Sequence, residues 1–355
     1  MIPGPTPVSA AVRAALAAPV RGHATPQVAA SIGRAREALR QVVGAPGMDV
    51  YIVPGSGTLA MEAAVVNHVA PGERVVVVNH GFFADRFADI CAVHGIVVEQ
   101  VRAEWGQAVE PAALAQHIDR AGPTALVVVT HVDTSTGTMA PVAELAAVAR
   151  RAGTMVLVDG VCATAGVEEE MATWGVDLLV TATQKALAVP PGLALLVTSA
   201  AARDRRGRLG RAPGYFMDLN RWDGPMTGPA YFATHATSLV RALEVSLEEI
   251  LAEGLPARYD RHRRVAEHLR RGFAGLGFEL VTAEAALAPT LSVLRPPAGV
   301  DEAALRARML AAGVLVAGGI GPLAGRAIRV GHMGTLGEAE VDCAVAAAAA
   351  GLAEL

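Results

Sequence analysis

The chain has 355 residues, 52% of them hydrophobic, with a formal net charge of -4. That length supports a large core, arranged as one big domain with a smaller one attached, without disulfide staples. The near-neutral charge argues against nucleic acid as a partner, as does a densest basic run, Arg203 to Arg211, that contains no aromatic residue and reads as a solvated loop face.

Much of the hydrophobic content is alanine, and no window holds ~18 uninterrupted apolar residues, so a soluble protein with no membrane partner is expected. The start carries Pro3, Pro5 and Pro7, then Arg13 and Arg21, which is unlike a signal peptide; the expected location is the cytoplasm. Cys91, Cys162 and Cys343 lie far apart without metal or redox spacing and read as small buried side chains. The ten histidines show no ligand spacing, so no metal site is expected.

Taken in order, residues 1–25 are rich in proline, glycine and alanine, which predicts an extended arm, of the kind that lies across a partner subunit, rather than a helix. Helical periodicity over residues 27–43 precedes a strand at 49–53. The segment Pro54-Gly55-Ser56-Gly57-Thr58 then forms a glycine turn into a helix. Strands follow at 74–79, 96–101, 124–130 and 154–159, with helices at 83–94 and 141–152. Near-continuous apolar strands alternating with helices indicate an α/β fold with a mostly parallel sheet covered on both faces.

A further apolar run, residues 178–180, leads straight into Gln184-Lys185 and the breakers Pro190, Pro191 and Gly192. A lysine drawn out of water loses its proton more readily, and an uncharged amine is a nucleophile that forms Schiff bases. The same lysine could also snorkel to the surface. After Leu196 the sheet pattern ends, and residues 203–228 read as a long irregular segment. Helices at 230–252 and 256–276 then lead into a smaller α+β region, with strands near 278–281, 291–294, 314–317 and 327–330 and helices from Glu302 and Gly337. The expected organisation is an arm at 1–25, a large domain at 26–245 and a small one at 246–355.

Sites in parallel sheets gather at the carboxyl ends of the strands. Applied to this chain, that rule collects Ser56-Gly57-Thr58, Asn79-His80-Gly81, residues 131–136, Asp159 and Gln184-Lys185 on one rim. The turn at residues 55–58 opens a helix, where free N–H groups and the helix dipole hold a phosphate, although a glycine turn also serves as an ordinary N-cap. It fits neither a Walker loop nor the six-residue dinucleotide fingerprint.

These residues resemble the class V aminotransferases, fold type I enzymes that use pyridoxal 5'-phosphate (PLP), and in particular the alanine–glyoxylate and serine–glyoxylate group. The likeness runs from Pro3 to about Gly334. Its most specific pieces are Gly55-Ser56-Gly57-Thr58, His131-Val132-Asp133-Thr134-Ser135-Thr136-Gly137, Val158-Asp159, Gln184-Lys185 with its following prolines, and Arg326-Ala327-Ile328-Arg329-Val330-Gly331. The resemblance implies a large domain with a mostly parallel sheet plus a smaller C-terminal α+β domain. It implies that Lys185 holds PLP as a Schiff base and moves the substrate proton, and that Asp159 pairs with the pyridine nitrogen. Ser56, Gly57, Thr58 and Gln184 would bind the phosphate, Thr134 would sit near the 3'-oxygen, and Phe83, or its neighbour Phe82, would stack on the ring.

By the same resemblance Arg329 binds the substrate carboxylate, while Tyr231 and Thr234 reach the phosphate of the adjacent subunit, completing its site in a homodimer. Two departures bear on substrate choice: Thr58 stands where some relatives have histidine, and Ala24 where several carry arginine. The implied activity is transfer of an amino group from alanine or serine to glyoxylate or another 2-oxo acid. Ureidoglycine–glyoxylate or 2-aminoethylphosphonate–pyruvate transamination, and a non-catalytic assembly subunit of the same fold, stand as alternatives. A cysteine desulfurase is disfavoured because Cys343 falls in an alanine-rich helical tail instead of a mobile loop.

Overall fold

The computed structural model describes residues 1–210, 214–228 and 230–355. After an extended start come helices α1 (Ala10–Ala17) and α2 (Pro26–Val42). Strands and helices then alternate: β1 (Asp49–Gly55), α3 (Gly57–His68), β2 (Arg74–Asn79), α4 (Phe82–Val93), β3 (Val97–Arg102), α5 (Pro111–Ala121) and β4 (Leu126–Thr130). A small hairpin, β5 (Val132–Asp133) and β6 (Thr138–Met139), is followed by α6 (Val142–Arg151), β7 (Met155–Asp159), α7 (Met171–Trp174), β8 (Leu178–Ala182) and β9 (Gly192–Thr198). The remainder comprises α8 (Ala200–Leu209), α9 (Leu219–Thr227), α10 (Thr237–Glu253), α11 (Leu255–Ala274), β10 (Glu279–Leu280), β11 (Leu291–Arg295), α12 (Glu302–Ala311), β12 (Ala317–Gly318), β13 (Ile328–Gly331) and α13 (Glu338–Ala353).

The main sheet has the order β1-β9-β8-β7-β4-β2-β3, and β9 alone runs antiparallel to its neighbours. Val75 to Val78 and Leu126 to Val129 are all buried, as expected of strands covered by helices on both faces. The carboxyl ends of β1, β2, β4, β7 and β8 therefore share one edge, and the loops leaving that edge carry the predicted rim residues.

A second sheet, β10-β11-β13-β12, is antiparallel throughout. Its core draws Val265, Leu269 and Phe273 from α11, Ile328 and Val330 from β13, and Val341 and Ala344 from α13. A third apolar cluster joins the two sheets, packing Val132, Cys162 and Ala186 from the rim loops against Leu291, Val293 and Ala327. No described helix is long and apolar enough to cross a membrane.

Several sequence expectations are corrected. The first 25 residues are not extended throughout: Ala10–Ala17 is helical, capped by the Ser9 hydroxyl on Val12 N, and buries Val12 and Ala15. Residues 200–209 and 219–227 are helices instead of part of an irregular segment. Ser199 and Asp218 cap them, but charged residues and glycine mask the apolar period of the first and Pro225 interrupts the second. The basic run is not simply a solvated loop, since Arg206 is buried and bonded to the Tyr51 hydroxyl and the Asp223 carboxylate. Arg211, the last residue of that run, lies outside the described residues. Cys91 and Cys162 are buried, whereas Cys343 is exposed on α13. The helix expected from residue 230 begins at Thr237, leaving Tyr231 and Thr234 in the approach to it.

Candidate active site

Lys185 follows β8 on a turn held down by the N-terminal segment. Its Nζ donates to the Pro3 carbonyl at 2.5 Å, and the Lys185 carbonyl accepts from the Thr6 hydroxyl at 2.7 Å. Gly4 lies against the lysine stem with φ of +129°; a Cβ there would stand 2.7 Å from Lys185 Cδ, so only glycine fits. The lysine is thus neither a free surface group nor fully enclosed.

Asp159 ends β7 and is 3% exposed. Its Oδ1 accepts from Val161 N at 2.9 Å. Burial pushes the carboxyl up to about 7 and the charges of Asp133 and Glu169 act in the same direction, while the Val161 N–H and Lys185 oppose them. A buried carboxylate in this state gains from any cation brought beside it.

Ser56, Gly57 and Thr58 enter α3, whose N-terminus has no side-chain cap, so its first amides point outward unclaimed by Ser56. A cavity of about 190 Å³ lies between this helix start, Phe83, Asp159, Gln184 and Lys185. Arg86, Met61, Val132, Val161 and Cys162 complete its wall. Phe83 lines it and Phe82 does not. Arg86 stands one turn further along α4, 4.5 Å over the Phe83 ring, and donates to the Thr58 hydroxyl at 3.3 Å.

The loop after β4 supports this wall. Asp133 is fully buried and caps α4, accepting from Phe83 N at 3.0 Å and from Ser135 N at 2.8 Å. Gly81 permits that approach, because a Cβ would lie 2.3 Å from the Asp133 carboxyl carbon. Thr134, next in the β5–β6 turn, accepts from Arg329 Nη1 at 3.3 Å. Arg329 Nε donates to the Gly318 carbonyl at 2.8 Å. Burial draws its guanidinium pKa down, with Cys162 and Asp133 opposing. Cys162 feels Lys185, Asp159 and Arg329 together, so the arginine belongs to the same neighbourhood although it does not line the cavity.

Tyr231 and Thr234 do not line the cavity. Tyr231 is 63% exposed, its hydroxyl is 3.4 Å from Thr234 Oγ1, and its ring packs 4.9 Å from His23. Sequence reasoning missed Arg86, Cys162 and the Pro3 carbonyl. Arg86 had a usable signal, its i+3 spacing from Phe83 on a helix; Pro3 had none, since a backbone acceptor carries no residue signature.

The cavity fits PLP on its own terms. It offers an amine, a buried carboxylate on another wall and an uncapped helix start for an anion. Gln184 presents a buried amide oxygen with no partner among the described residues, and a half-turn of that amide presents N–H instead. The class-V aminotransferase family model matches residues 11–272. L-aspartate–glyoxylate aminotransferase of Paracoccus denitrificans is 31% identical over 100% of this chain and 91% of its own length. The crystal structure of alanine–glyoxylate aminotransferase from Nostoc sp. superposes with a TM-score of 0.95 at 30% identity, covering 99% of this chain and 94% of that one. Ureidoglycine–glyoxylate aminotransferase from Bacillus subtilis gives 0.95 at 27% identity, covering 100% and 92%. The chain belongs to the class V aminotransferase family, and is a PLP-dependent transaminase of fold type I.

Proposed function

We propose that this protein moves the amino group of a small amino acid, alanine or serine, to glyoxylate or another 2-oxo acid. The observation that carries this reading is the Arg329–Thr134 pair. A planar guanidinium beside a hydroxyl is a carboxylate anchor, shared by α-amino and 2-oxo acids alike. Apolar Val132 and Val161 on the cavity wall suit a small substrate side chain, and the relatives compared above share glyoxylate in their names.

Bound PLP supplies an electron sink for the carbanion formed at the substrate α-carbon. Lys185 would anchor the cofactor through Nζ, and its amine is the group that would move the proton of that α-carbon. Asp159 would hold a proton at the ring nitrogen, which would relieve the cost of its own burial. Ser56, Gly57, Thr58 and Gln184 would bind the phosphate, Thr134 would face the 3'-oxygen, and Phe83 would stack on the ring. The Pro3 carbonyl, which accepts from Nζ, would keep the Lys185 amine within the site.

Tyr231 and Thr234 are read as phosphate ligands for the neighbouring copy in a homodimer, since both are exposed and neither lines the cavity of its own chain. The unpaired cysteines suit a reducing compartment, and the cytoplasm is the proposed location. The test is spectroscopic: alanine or serine, added singly to the holoprotein, should bleach the cofactor's visible band, and glyoxylate should restore it. Bleaching by neither, with full response to another donor class, would refute the assignment.

A further inference from the structure

Four consecutive carbonyls around the lysine are each held by a group distant in sequence. Thr6 N donates to Gln184 O at 3.1 Å and the Thr6 hydroxyl to Lys185 O. Arg258 Nη2 donates to Ala186 O at 2.6 Å, and the Ser246 hydroxyl to Leu187 O. Among the described residues, only Ala165 and Ala188 are non-glycine with positive φ, at 65° and 52°. Both lie in loops leaving the catalytic rim, and such backbone persists only where its surroundings enforce it.

Arg258 joins those two loops. It sits in the first turn of α11, is 4% exposed, and reaches Ala165 O through Nε at 2.7 Å while its Nη2 holds Ala186 O. Nη1 is held in turn by Glu253 at 2.7 Å. Ala165 lies in the loop that leaves Asp159, and Ala186 is next to Lys185. One rigid, planar fork therefore fixes the loop of the acid against the loop of the amine.

The next residues of the same helix serve the other side of the site. Arg261 donates to Gly334 O at 3.0 Å and to Leu336 O at 3.1 Å. His262 Nε2 accepts from Gly334 N at 3.0 Å, with burial holding that ring neutral. These contacts hold the loop that leaves β13, the strand of Arg329. Further along α11, Val265, Leu269 and Phe273 enter the second core.

We propose that Arg258 is a positioning residue that sets Lys185 against Asp159, while Arg261 on the same helix sets the Arg329 side. The inference rests on the roles given to Lys185 and Asp159 above. It separates two effects that a general loss of stability would mix. Disturbing Arg258 changes the amine and its proton transfer, hence kcat; disturbing Arg261 changes carboxylate anchoring, hence KM.

The test uses the holoprotein with Arg258→Lys, which keeps the charge but cannot span both carbonyls, and Arg258→Met, which keeps only the stem. Expected are a shift of about half a pH unit or more in the titration midpoint of the visible cofactor band. A fall in kcat of about tenfold or more should accompany it, with KM within about twofold. Arg261→Lys should raise KM for the amino acid and leave the midpoint in place. An unmoved midpoint and unchanged kcat in a variant that folds, judged by Tm and circular dichroism, would overturn the proposal. Failure of both Arg258 variants to fold would also overturn it, by making the residue a requirement of the fold. If the visible band survives Lys185→Ala, the lysine assignment fails instead, so the two failures are distinguishable.

Discussion

The turn at Gln184–Leu187 and the segment at Tyr231–Thr234 are both expected to touch the same cofactor, yet the chain treats them oppositely. Every carbonyl of the first is bonded from elsewhere in the molecule, through Thr6, Arg258 and Ser246. In the second, Tyr231 and Thr234 are exposed and their hydroxyls face each other, while Phe232 and Ala233 between them pack on the core. A group that must place a proton needs a fixed backbone beneath it, whereas a group destined for another subunit must be left available. In the proposed homodimer, reaction chemistry would belong to one chain and completion of the phosphate site to its neighbour.

The largest effect on stability should come from Asp159. Its folded carboxyl titrates near 7, above the ordinary value of 3.8, so the folded state keeps a proton that the unfolded chain has released. Stability of the cofactor-free protein should therefore fall as pH rises from about 4 to about 7, by up to about 4 kcal/mol. Asp159→Asn should flatten that slope in denaturant titrations at several pH values. A variant retaining the full slope would place its origin elsewhere.

Arg329→Ala comes next. Loss of a charged, paired contact to the substrate carboxylate is worth on the order of 3 kcal/mol, about a hundredfold in KM. Cofactor affinity should be unchanged, since Arg329 lies outside the cavity. Equal loss of cofactor would assign it to the rigid half of the site.

Smallest should be the paired change Tyr231→Phe and Thr234→Val, weakening cofactor binding by about tenfold, with little change in Tm because both side chains sit on the surface of the chain. Mixing such chains with Lys185→Ala chains sharpens the comparison. A hybrid dimer would hold one site with intact Lys185 and intact Tyr231 and Thr234, so tight binding should return at one site in two. If it does not return, the exposed segment does not serve a neighbour.

Much of the sheet was legible because its strands are continuous apolar runs: residues 74–79, 154–159 and 178–180 needed only pattern and punctuation. The rim could be assembled for the same reason, since strand direction alone carries Ser56, Thr134, Asp159 and Lys185 to one edge. The strand order, including antiparallel β9, was not, because pairing depends on contacts far apart in sequence. Helix α8 was hidden by its charged composition, and Arg258 by lying about seventy residues beyond the lysine it supports. The carbonyls of Pro3 and Ala186 leave no trace in residue type at all. What the sequence reports well is side-chain chemistry and period; what it hides is backbone used as a partner.

The central claim is that Lys185 is the residue bonded to the cofactor. Borohydride reduction of the holoprotein, followed by proteolysis and mass spectrometry, tests it directly. The account predicts a single cofactor-derived mass increment on the peptide containing Lys185, absent from Lys185→Ala. An increment on another lysine, or an undiminished one in the variant, would contradict it.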